Sequence, residues 1–165
     1  MSRPGRQCQD IIQLLLDYGA DPIKQCHRGS TRLYRAASEG EINIAKLVLD
    51  RGADPKKTFF YGEILLHAAA MSGNLEMVQL LLDIGADPNK ARIDGMTPLH
   101  KAVNYKHIGT VILLLDRGAD PDIKDRRGRS PRSEAHKKGI FKQIVDMMMI
   151  LGQDSTFFQG ILGKM

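Results

Sequence analysis

Histidines and aspartates recur in this 165-residue chain in a pattern that could serve acid–base catalysis. His67 and His100 each follow a leucine and lie one interval of 33 residues apart. Histidine is the side chain most often used as a general acid or base because it titrates near neutral pH. Aspartates recur at the same interval, at Asp21, Asp54, Asp87 and Asp120. Two carboxylates could share a proton in such a reaction, provided that the fold brought them together.

The spacing itself argues against this chemistry. Only one of these aspartates occurs in every 33 residues of the chain. If each 33-residue segment folds as a unit, successive carboxylates lie one unit apart and cannot act on one substrate proton. His100 and His107 have no cysteine or acidic ligand set nearby, which makes them a weak pattern for a metal. The sequence also lacks the HExxH, CxxC and GxSxG motifs and a phosphate-binding glycine loop. It therefore predicts a protein that is not an enzyme and that uses no metal or cofactor.

Composition predicts a folded protein outside the membrane. Hydrophobic residues make up 42% of the chain and charged residues 26%, which is ordinary for a globular domain. No apolar run approaches the roughly 20 residues needed to span a bilayer, and the N-terminal stretch is too polar for a secretory signal. Cys8 and Cys26 show no metal-binding or redox spacing, so we expect reduced thiols in a cytoplasmic or nuclear protein.

The four-residue sequence GADP occurs four times and predicts where helices end. Its glycines, Gly19, Gly52, Gly85 and Gly118, are equally spaced along the chain. Each copy follows a leucine-rich run with helical spacing, as in LEMVQLLLD at 75–83. A glycine commonly closes a helix in the left-handed conformation, and the proline that follows cannot continue the helix. One helix is thus predicted to end at every GADP.

A second, shorter helix lies upstream of the leucine-rich helix in each interval. Its copies read TRLYRAASEG at 31–40, ILLHAAAMSG at 64–73 and TPLHKAVNYK at 97–106. The small residues in its middle would let neighbouring helices approach closely, which indicates an inner helix packed between its own copies. A glycine-containing stretch of about eight residues precedes each inner helix and is typical of a hairpin turn. This order predicts a solenoid in which each unit buries its apolar face against its neighbours.

Two stretches carry a family resemblance. DGMTPLHKAV at 94–103, followed by VILLLDRGADPD at 111–122, resembles an ankyrin repeat. The resemblance implies an all-α ankyrin-repeat solenoid of helix-turn-helix units joined by β-hairpin-like loops, in one domain over 1–165. It divides the chain into a half repeat at 1–25, full repeats at 26–58 (unit 2), 59–91 (unit 3) and 92–124 (unit 4), a degenerate capping repeat at 125–157 (unit 5) and a tail at 158–165.

The TPLH motif of this family is complete only in unit 4, at 97–100. Unit 3 keeps the histidine, His67, whereas unit 2 has Tyr34 and unit 5 has Ser133 at the corresponding position. In ankyrin repeats the threonine and the histidine make hydrogen bonds that brace the hairpin and the start of the helix. The resemblance therefore implies a structural role for His67 and His100.

Ankyrin repeats bind partner proteins in a concave groove lined by the hairpin tips and the exposed side of the inner helices. Carried onto units 3 and 4, this places the following residues in the groove: Phe60, Tyr61, Glu63, Met71, Ser72, Ile93, Asp94, Met96, Asn104 and Tyr105. Aromatic residues and methionine are enriched at binding surfaces, so the apolar members of this set are the predicted contacts. The alternative is that Phe59 and Phe60 pack between adjacent hairpins.

The excess positive charge lies beside this set. The whole chain has a net charge of +5, and residues 117–142 alone account for it. Its core is KDRRGRSPR at 124–132, and the predicted contacts are Arg126, Arg127, Arg129, Lys137 and Lys138. An acidic protein surface is the first choice of partner. Nucleic acid comes second because no aromatic residues interleave the run; a nuclear localisation signal and a solvated charged tip are the other interpretations.

The sequence as a whole predicts a monomeric protein–protein interaction module whose partner carries apolar and acidic surface. Two alternatives stay open: a fragment or isoform of a larger signalling or transcription regulator, and a nucleic-acid-linked factor that uses the arginine-rich tip. Two further hypotheses concern particular segments. Residues 1–25 are expected to be the most mobile part of the chain, and Ser130, followed by proline, is a candidate for phosphorylation.

Overall fold

The described part of the protein is a stack of helices. The computed structural model describes residues 18–19 and 32–150, except for the side chains of Phe60 and Met148. The described part contains no β-strand and one 3₁₀ turn at Phe60–Gly62. Its helices are α1 (Arg32–Glu39), α2 (Ile42–Asp50), α3 (Leu65–Ser72), α4 (Leu75–Asp83), α5 (Pro98–Asn104), α6 (Ile108–Asp116), α7 (Pro131–Lys137) and α8 (Phe141–Ile150).

The predicted all-α fold is thereby confirmed. The half repeat except for residues 18 and 19, both cysteines (Cys8 and Cys26) and the tail lie outside the described residues, and so does the expected mobility of residues 1–25.

The helices form two layers. The inner helices α1, α3, α5 and α7 each contact the next inner helix along the chain. The outer helices α4, α6 and α8 contact one another in the same order, and α2, α4 and α6 each pack on the inner helix that precedes them. This arrangement matches the alternation of small and leucine-rich segments in the sequence.

One continuous core runs between the two layers. The inner helices contribute alanines that are almost or fully buried, such as Ala37, Ala69 and Ala102, while the outer helices contribute larger side chains such as Leu81 and Leu114. Small side chains on the inner helices permit the close helix contacts of that layer. Because each unit buries its apolar face only against its neighbours, the stack gains stability with each added unit.

The GADP sequences at 52–55, 85–88 and 118–121 end outer helices as predicted, and the segment before the copy at 19–22 lies outside the described residues. After α4, the Gly85 N–H donates to the Leu82 carbonyl (3.0 Å) and the Ala86 N–H to the Leu81 carbonyl (3.0 Å), with Gly85 at a left-handed φ of 86°. These bonds satisfy carbonyls that the end of a helix leaves unpaired. The aspartate that follows, Asp87, accepts a hydrogen bond from the Asn89 N–H (2.8 Å) and so holds the next turn.

The same aspartate turn recurs after the other outer helices. The Asp54 carboxylate accepts from the Lys56 N–H, and the Asp120 carboxylate from the Asp122 N–H, each at 2.8 Å. The recurrent aspartates of the described residues thus shape loops.

In each unit the turn between the inner and the outer helix includes a residue with a left-handed backbone, a conformation that favours glycine. In unit 4 this residue is a lysine. Gly40, Gly73 and Gly139 have left-handed φ angles of 73°, 73° and 67°, and Lys106 occupies the corresponding position in unit 4 with a φ of 59°. A side chain in this conformation costs about 1–2 kcal/mol. At Gly73 the strain would be joined by a collision, because an added Cβ would overlap the imidazole ring of His107.

Substituting glycine for this lysine is expected to stabilise the protein. Lys106→Gly removes the left-handed strain, and the gain exceeds the entropy that glycine loses on folding, so the free energy of unfolding should rise by roughly 0.5–1 kcal/mol. Urea unfolding followed by circular dichroism measures it. Lys106→Ala, which keeps the Cβ and removes the charge, serves as the control and should show no gain. A loss of stability in the glycine variant would refute the strain argument.

Candidate functional site

The loops that precede α3, α5 and α7 are tight hairpins. Each is closed by a backbone hydrogen bond across its base, from Phe59 N–H to the Glu63 carbonyl (2.7 Å), from Arg92 N–H to the Met96 carbonyl (2.9 Å) and from Asp125 N–H to the Arg129 carbonyl (2.8 Å). The β-hairpin-like loops implied by the family resemblance are therefore present in units 3, 4 and 5.

Backbone bonds also join successive hairpins into a row. The Ile93 N–H of unit 4 donates to the Tyr61 carbonyl of unit 3 (2.8 Å), and the Arg126 N–H of unit 5 donates to the Asp94 carbonyl of unit 4 (2.9 Å). The tips of the three hairpins are thus held side by side at a regular interval. The backbone positions that carry the tip side chains are therefore fixed relative to one another.

The two histidines of the inner helices connect each hairpin to the unit before it. Nδ1 of His67 accepts the Ile64 N–H (3.2 Å), and its Nε2 lies 3.0 Å from the Met96 carbonyl. His100 repeats the arrangement with the Thr97 N–H (3.0 Å) and the Arg129 carbonyl (3.0 Å). Since Nδ1 accepts in each ring, Nε2 carries the hydrogen and donates to the carbonyl. The structural role implied for both histidines is confirmed.

A bond of the same kind is present in unit 2, whereas the described contacts of the corresponding residue of unit 5 are local. The Tyr34 hydroxyl, at the histidine position of unit 2, donates to Oε2 of Glu63 (2.9 Å). Ser133, at that position of unit 5, instead accepts the Ser130 N–H (3.0 Å) and donates to the Ser130 carbonyl (2.8 Å). We call the three bonds from Tyr34, His67 and His100 the cross-repeat ladder. The capping role of unit 5 stays a prediction.

Burial keeps the ladder histidines uncharged. Loss of water contact lowers the pKa of His67 to about 4, outweighing the backbone hydrogen bond to Met96, which acts in the opposite sense. Burial is also the main reason that the pKa of His100 lies below its ordinary value. Both rings are therefore neutral at pH 7 with both nitrogens already hydrogen-bonded. Neither has a nitrogen free to take a proton from a substrate.

An ion pair lies beneath the hairpins of units 3 and 4. Glu63 and Arg92 are 3.0 Å apart, and their side chains are only 14% and 15% exposed. Burial, together with the bond from its hydroxyl to the same carboxylate, raises the pKa of Tyr34 to about 12. Arg92 also lies 3.5 Å from Asp94. Glu63, which the resemblance placed in the groove, is thus occupied in holding two hairpins together.

Phe59 belongs to this interior. Its ring centre lies 4.8 Å from that of Tyr34, and the side chain packs against the core. Phe59 is thus half-buried against inner helix α1 and the core, and its packing between adjacent hairpins stays a prediction. The side chain of Phe60, a predicted contact, lies outside the described residues.

The predicted apolar contacts fall into two groups. At the hairpin tips, Tyr61 is 67% and Ile93 55% exposed, with Met96 half-buried beside them. At the far end of the inner helices, Tyr105 is 54% exposed and Met71 half-buried. The second group is held together by a histidine at 107, whose Nε2 lies 2.9 Å from the Met71 carbonyl and whose ring stacks on Tyr105. We call these five residues the hairpin face.

The two groups are separated by the length of an inner helix, roughly 10 Å for the seven residues of α5. A partner that contacts both must therefore cover the inner-helix surface between them.

Tyr61 has an unusual backbone that no sequence motif predicts. Its φ is 59°, in the left-handed region, and the glycine that follows is also left-handed. A bulky side chain in this region is uncommon, and residues held in such conformations cluster at functional sites. The turn directs most of the tyrosine ring into solvent.

Some basic residues of units 4 and 5 form ion pairs with aspartates of the protein, and others form none among the described residues. Arg129 donates from Nε (2.9 Å) and Nη2 (2.6 Å) to one carboxylate oxygen of Asp125. Arg132 donates from the same two nitrogens to the two different carboxylate oxygens of Asp122. The Arg129 side chain is 36% exposed, so a partner that binds it must compete with Asp125. Contact between Arg129 and a partner stays a prediction.

The free cations stand at the tip of unit 5 and at the end of α7. Arg126, Arg127 and Lys137 are exposed, and in the part of the chain that the structure describes their side chains make no ion pair or hydrogen bond. Lys138 is half-buried, with Nζ 3.4 Å from the Asn104 carbonyl. A cleft of about 220 Å³ opens between the tips of units 4 and 5, and Arg126 and Arg127 line it with Met96. Of the predicted basic contacts, Arg126, Arg127 and Lys137 are thus the free cations, whereas Arg129 and Lys138 are engaged within the protein.

The phosphorylation hypothesis meets a structural obstacle. Ser130 is only 7% exposed, and its hydroxyl oxygen accepts the Ser133 N–H (3.2 Å) at the start of α7. Modification would require this helix start to open.

Neither a metal site nor a membrane span emerges from the described residues. Among them, no three histidine, cysteine, aspartate or glutamate side chains are grouped so that they could hold a metal ion. No helix within residues 32–150 is long and apolar enough to cross a membrane.

Comparison with known proteins identifies a repeat family. The family model described as ankyrin repeats (3 copies) matches residues 56–125, which span the hairpins and helices of units 3 and 4. No curated protein gives a significant match to the chain.

Proposed function

Because this chain belongs to the ankyrin-repeat proteins, a family of protein-interaction modules, we propose that it binds a partner protein through the hairpin face and catalyses no reaction. The exposure of Tyr61, Ile93 and Tyr105 is the observation that carries this proposal. Large side chains that a fold leaves exposed on one face are typical of interaction sites, in which aromatic residues and methionine are enriched.

Preorganisation supports the same function. The bonds between hairpins and the cross-repeat ladder fix the tips before any partner arrives. A partner that docks on a rigid face loses little affinity to the ordering of loops and side chains.

The histidines and aspartates that could have served acid–base catalysis make structural hydrogen bonds instead. His67 and His100 are neutral and doubly hydrogen-bonded, and Asp54, Asp87 and Asp120 hold turns. These contacts favour a binding module over an enzyme.

The proposed partner carries apolar and acidic surface, since the apolar hairpin face adjoins the free cations Arg126 and Arg127. The protein is proposed to act as a monomer, and a cytoplasmic or nuclear location stays a prediction.

Affinity capture with matched variants tests the proposal. The chain and a Tyr61→Ala/Met96→Ala/Tyr105→Ala variant would be used as baits in cell lysate, with bound proteins identified by mass spectrometry. The control, Ile84→Ala/Met149→Ala/Ile150→Ala, removes three exposed apolar side chains of the outer layer. Circular dichroism would verify equal helicity.

We expect a specific protein to bind the parent and the control, and to be lost from the hairpin-face variant. A protein that binds the hairpin-face variant as well as it binds the parent would contradict the proposal.

A further inference from the structure

The hairpin row changes its chemical character between units 4 and 5. At corresponding tip positions, Ile93 of unit 4 gives way to Arg126 of unit 5, and at the helix ends Tyr105 gives way to Lys138. Both tip side chains are exposed, and the backbone bond from Arg126 to the unit 4 hairpin fixes their relation. The face therefore has a direction along the stack, from apolar to basic.

The carboxylates near the basic end are either paired within the protein, as Asp94 and Asp125 are, or buried, as Glu134 is. Asp94 accepts the Met96 N–H (3.1 Å) and faces Arg92, Asp125 is held by Arg129, and Glu134 is 9% exposed. The guanidinium groups of Arg126 and Arg127 consequently have no internal partner among the described residues. Arginine is well suited to carboxylates because its planar fork can donate two parallel hydrogen bonds. An acidic group is the complement that this end of the face lacks.

The distance between the hairpin tips of units 4 and 5 sets the length of a peptide that can contact both. Each hairpin contributes two antiparallel segments, and neighbouring strands lie about 4.8 Å apart, so successive tips are roughly 10 Å apart. An extended peptide advances about 3.3 Å per residue. A stretch of about three residues therefore spans from the tip of unit 4 to the tip of unit 5.

We infer that the partner presents a linear acidic segment, extended along the hairpin row. An apolar side chain of this segment lies over Ile93 and Met96, and one or more carboxylates about three residues away bind Arg126 and Arg127. This inference rests on the proposed function and specifies the partner's contact region by chemistry and by spacing.

Selection from a peptide library tests the inference directly. Random dodecapeptides displayed on phage would be selected against the immobilised chain, and the consensus peptide synthesised with a fluorescent label. We expect enriched sequences in which aspartate or glutamate lies about three residues from a large apolar residue. The affinity of the labelled peptide should fall about tenfold in Arg126→Gln/Arg127→Gln, and the difference should shrink as salt rises.

A matched charge change elsewhere supplies the control. Lys46→Gln/Lys142→Gln removes the same charge from the exposed surface of the outer helices and should change the affinity less than about twofold, since surface charges far from the ligand are screened. An equal loss in both variants, enrichment of peptides without acidic residues, or no enrichment would overturn the inference. Labelled duplex DNA that binds the chain and is released by Arg126→Gln/Arg127→Gln would also overturn it, in favour of a nucleic-acid ligand.

The two proposals fail separately. A lysate protein that is lost with the Tyr61→Ala/Met96→Ala/Tyr105→Ala variant but kept by Arg126→Gln/Arg127→Gln would leave the proposed function standing and overturn the linear acidic segment.

Discussion

Replacing His100 by alanine is expected to lower the free energy of unfolding by about 3 kcal/mol. The imidazole is buried, accepts the Thr97 N–H and donates to the Arg129 carbonyl of the next hairpin. Its removal leaves both backbone groups without their partner and opens a cavity between units 4 and 5. Unfolding in urea, followed by far-ultraviolet circular dichroism, gives the free energy directly.

Two further variants show whether the hydrogen bonds or the local volume matter. His100→Gln keeps an amide donor that can reach the same carbonyl and should lose less than half as much stability. Tyr105→Ala, on an exposed side chain of the same unit, should change stability by less than about 0.5 kcal/mol. A loss below about 1 kcal/mol in His100→Ala would show that the ladder does not hold the stack together.

The second large effect is a loss of stability in mild acid. The pKa of His67 is lowered by burial to about 4 in the folded protein, while an unfolded histidine titrates near 6.5. The unfolded state therefore binds the proton more tightly, and stability falls as the pH drops from about 6.5 towards 4. Above neutral pH this contribution is fully present. His100, whose pKa is also lowered, acts in the same direction.

The shift at His67 corresponds to about 2 kcal/mol of stability lost between about pH 7 and pH 5. Urea unfolding at several pH values across this interval measures the slope. Most carboxylates remain ionised there, so the histidines dominate the change.

His67→Gln separates this residue from all other titrating groups. The glutamine amide can still donate to the Met96 carbonyl but does not titrate, so the variant should be less stable at pH 7 and less sensitive to pH by about 2 kcal/mol. An unchanged slope in the variant would mean that His67 does not take part in the acid sensitivity.

The repeat itself is predictable from the sequence because its signals are local. The GADP sequences end helices through backbone geometry that depends on a few adjacent residues, and the outer helices stop there in the structure. The alanine-rich segments likewise become the inner layer. The constant spacing of the GADP sequences then fixes which positions correspond in successive units.

The contacts between units are less accessible to sequence reasoning because they join residues about one repeat apart. Glu63 is placed in the groove by family resemblance, yet it is sequestered by Arg92 and Tyr34. Arg129 is a predicted partner contact in the sequence analysis, but in the structure it is paired with Asp125. A signal was present: the ladder bonds of Tyr34, His67 and His100 all reach 29 residues ahead, an offset that an alignment of the units could have tested for polar pairs.

The sequence predicted which large apolar residues are exposed, but it did not predict that they lie in two separate groups. Tyr61, Ile93 and Tyr105 are exposed, but they form a tip group and a helix-end group, because the hairpin and the end of the inner helix lie at opposite ends of that helix. The left-handed backbone of Tyr61 has no sequence signal, since a glycine is the usual mark of such a conformation.

Site-specific photo-crosslinking tests most directly whether a partner lies on the hairpin face. Benzoylphenylalanine would replace Ile93 at the tip of unit 4 in one variant and Ile84 at the end of α4 in another; both side chains are exposed, 55% and 36% respectively. After irradiation in lysate, we expect a specific partner to be crosslinked from position 93 and not from position 84. The same partner crosslinked only from position 84 would place the binding surface outside the hairpin face and contradict the proposed function.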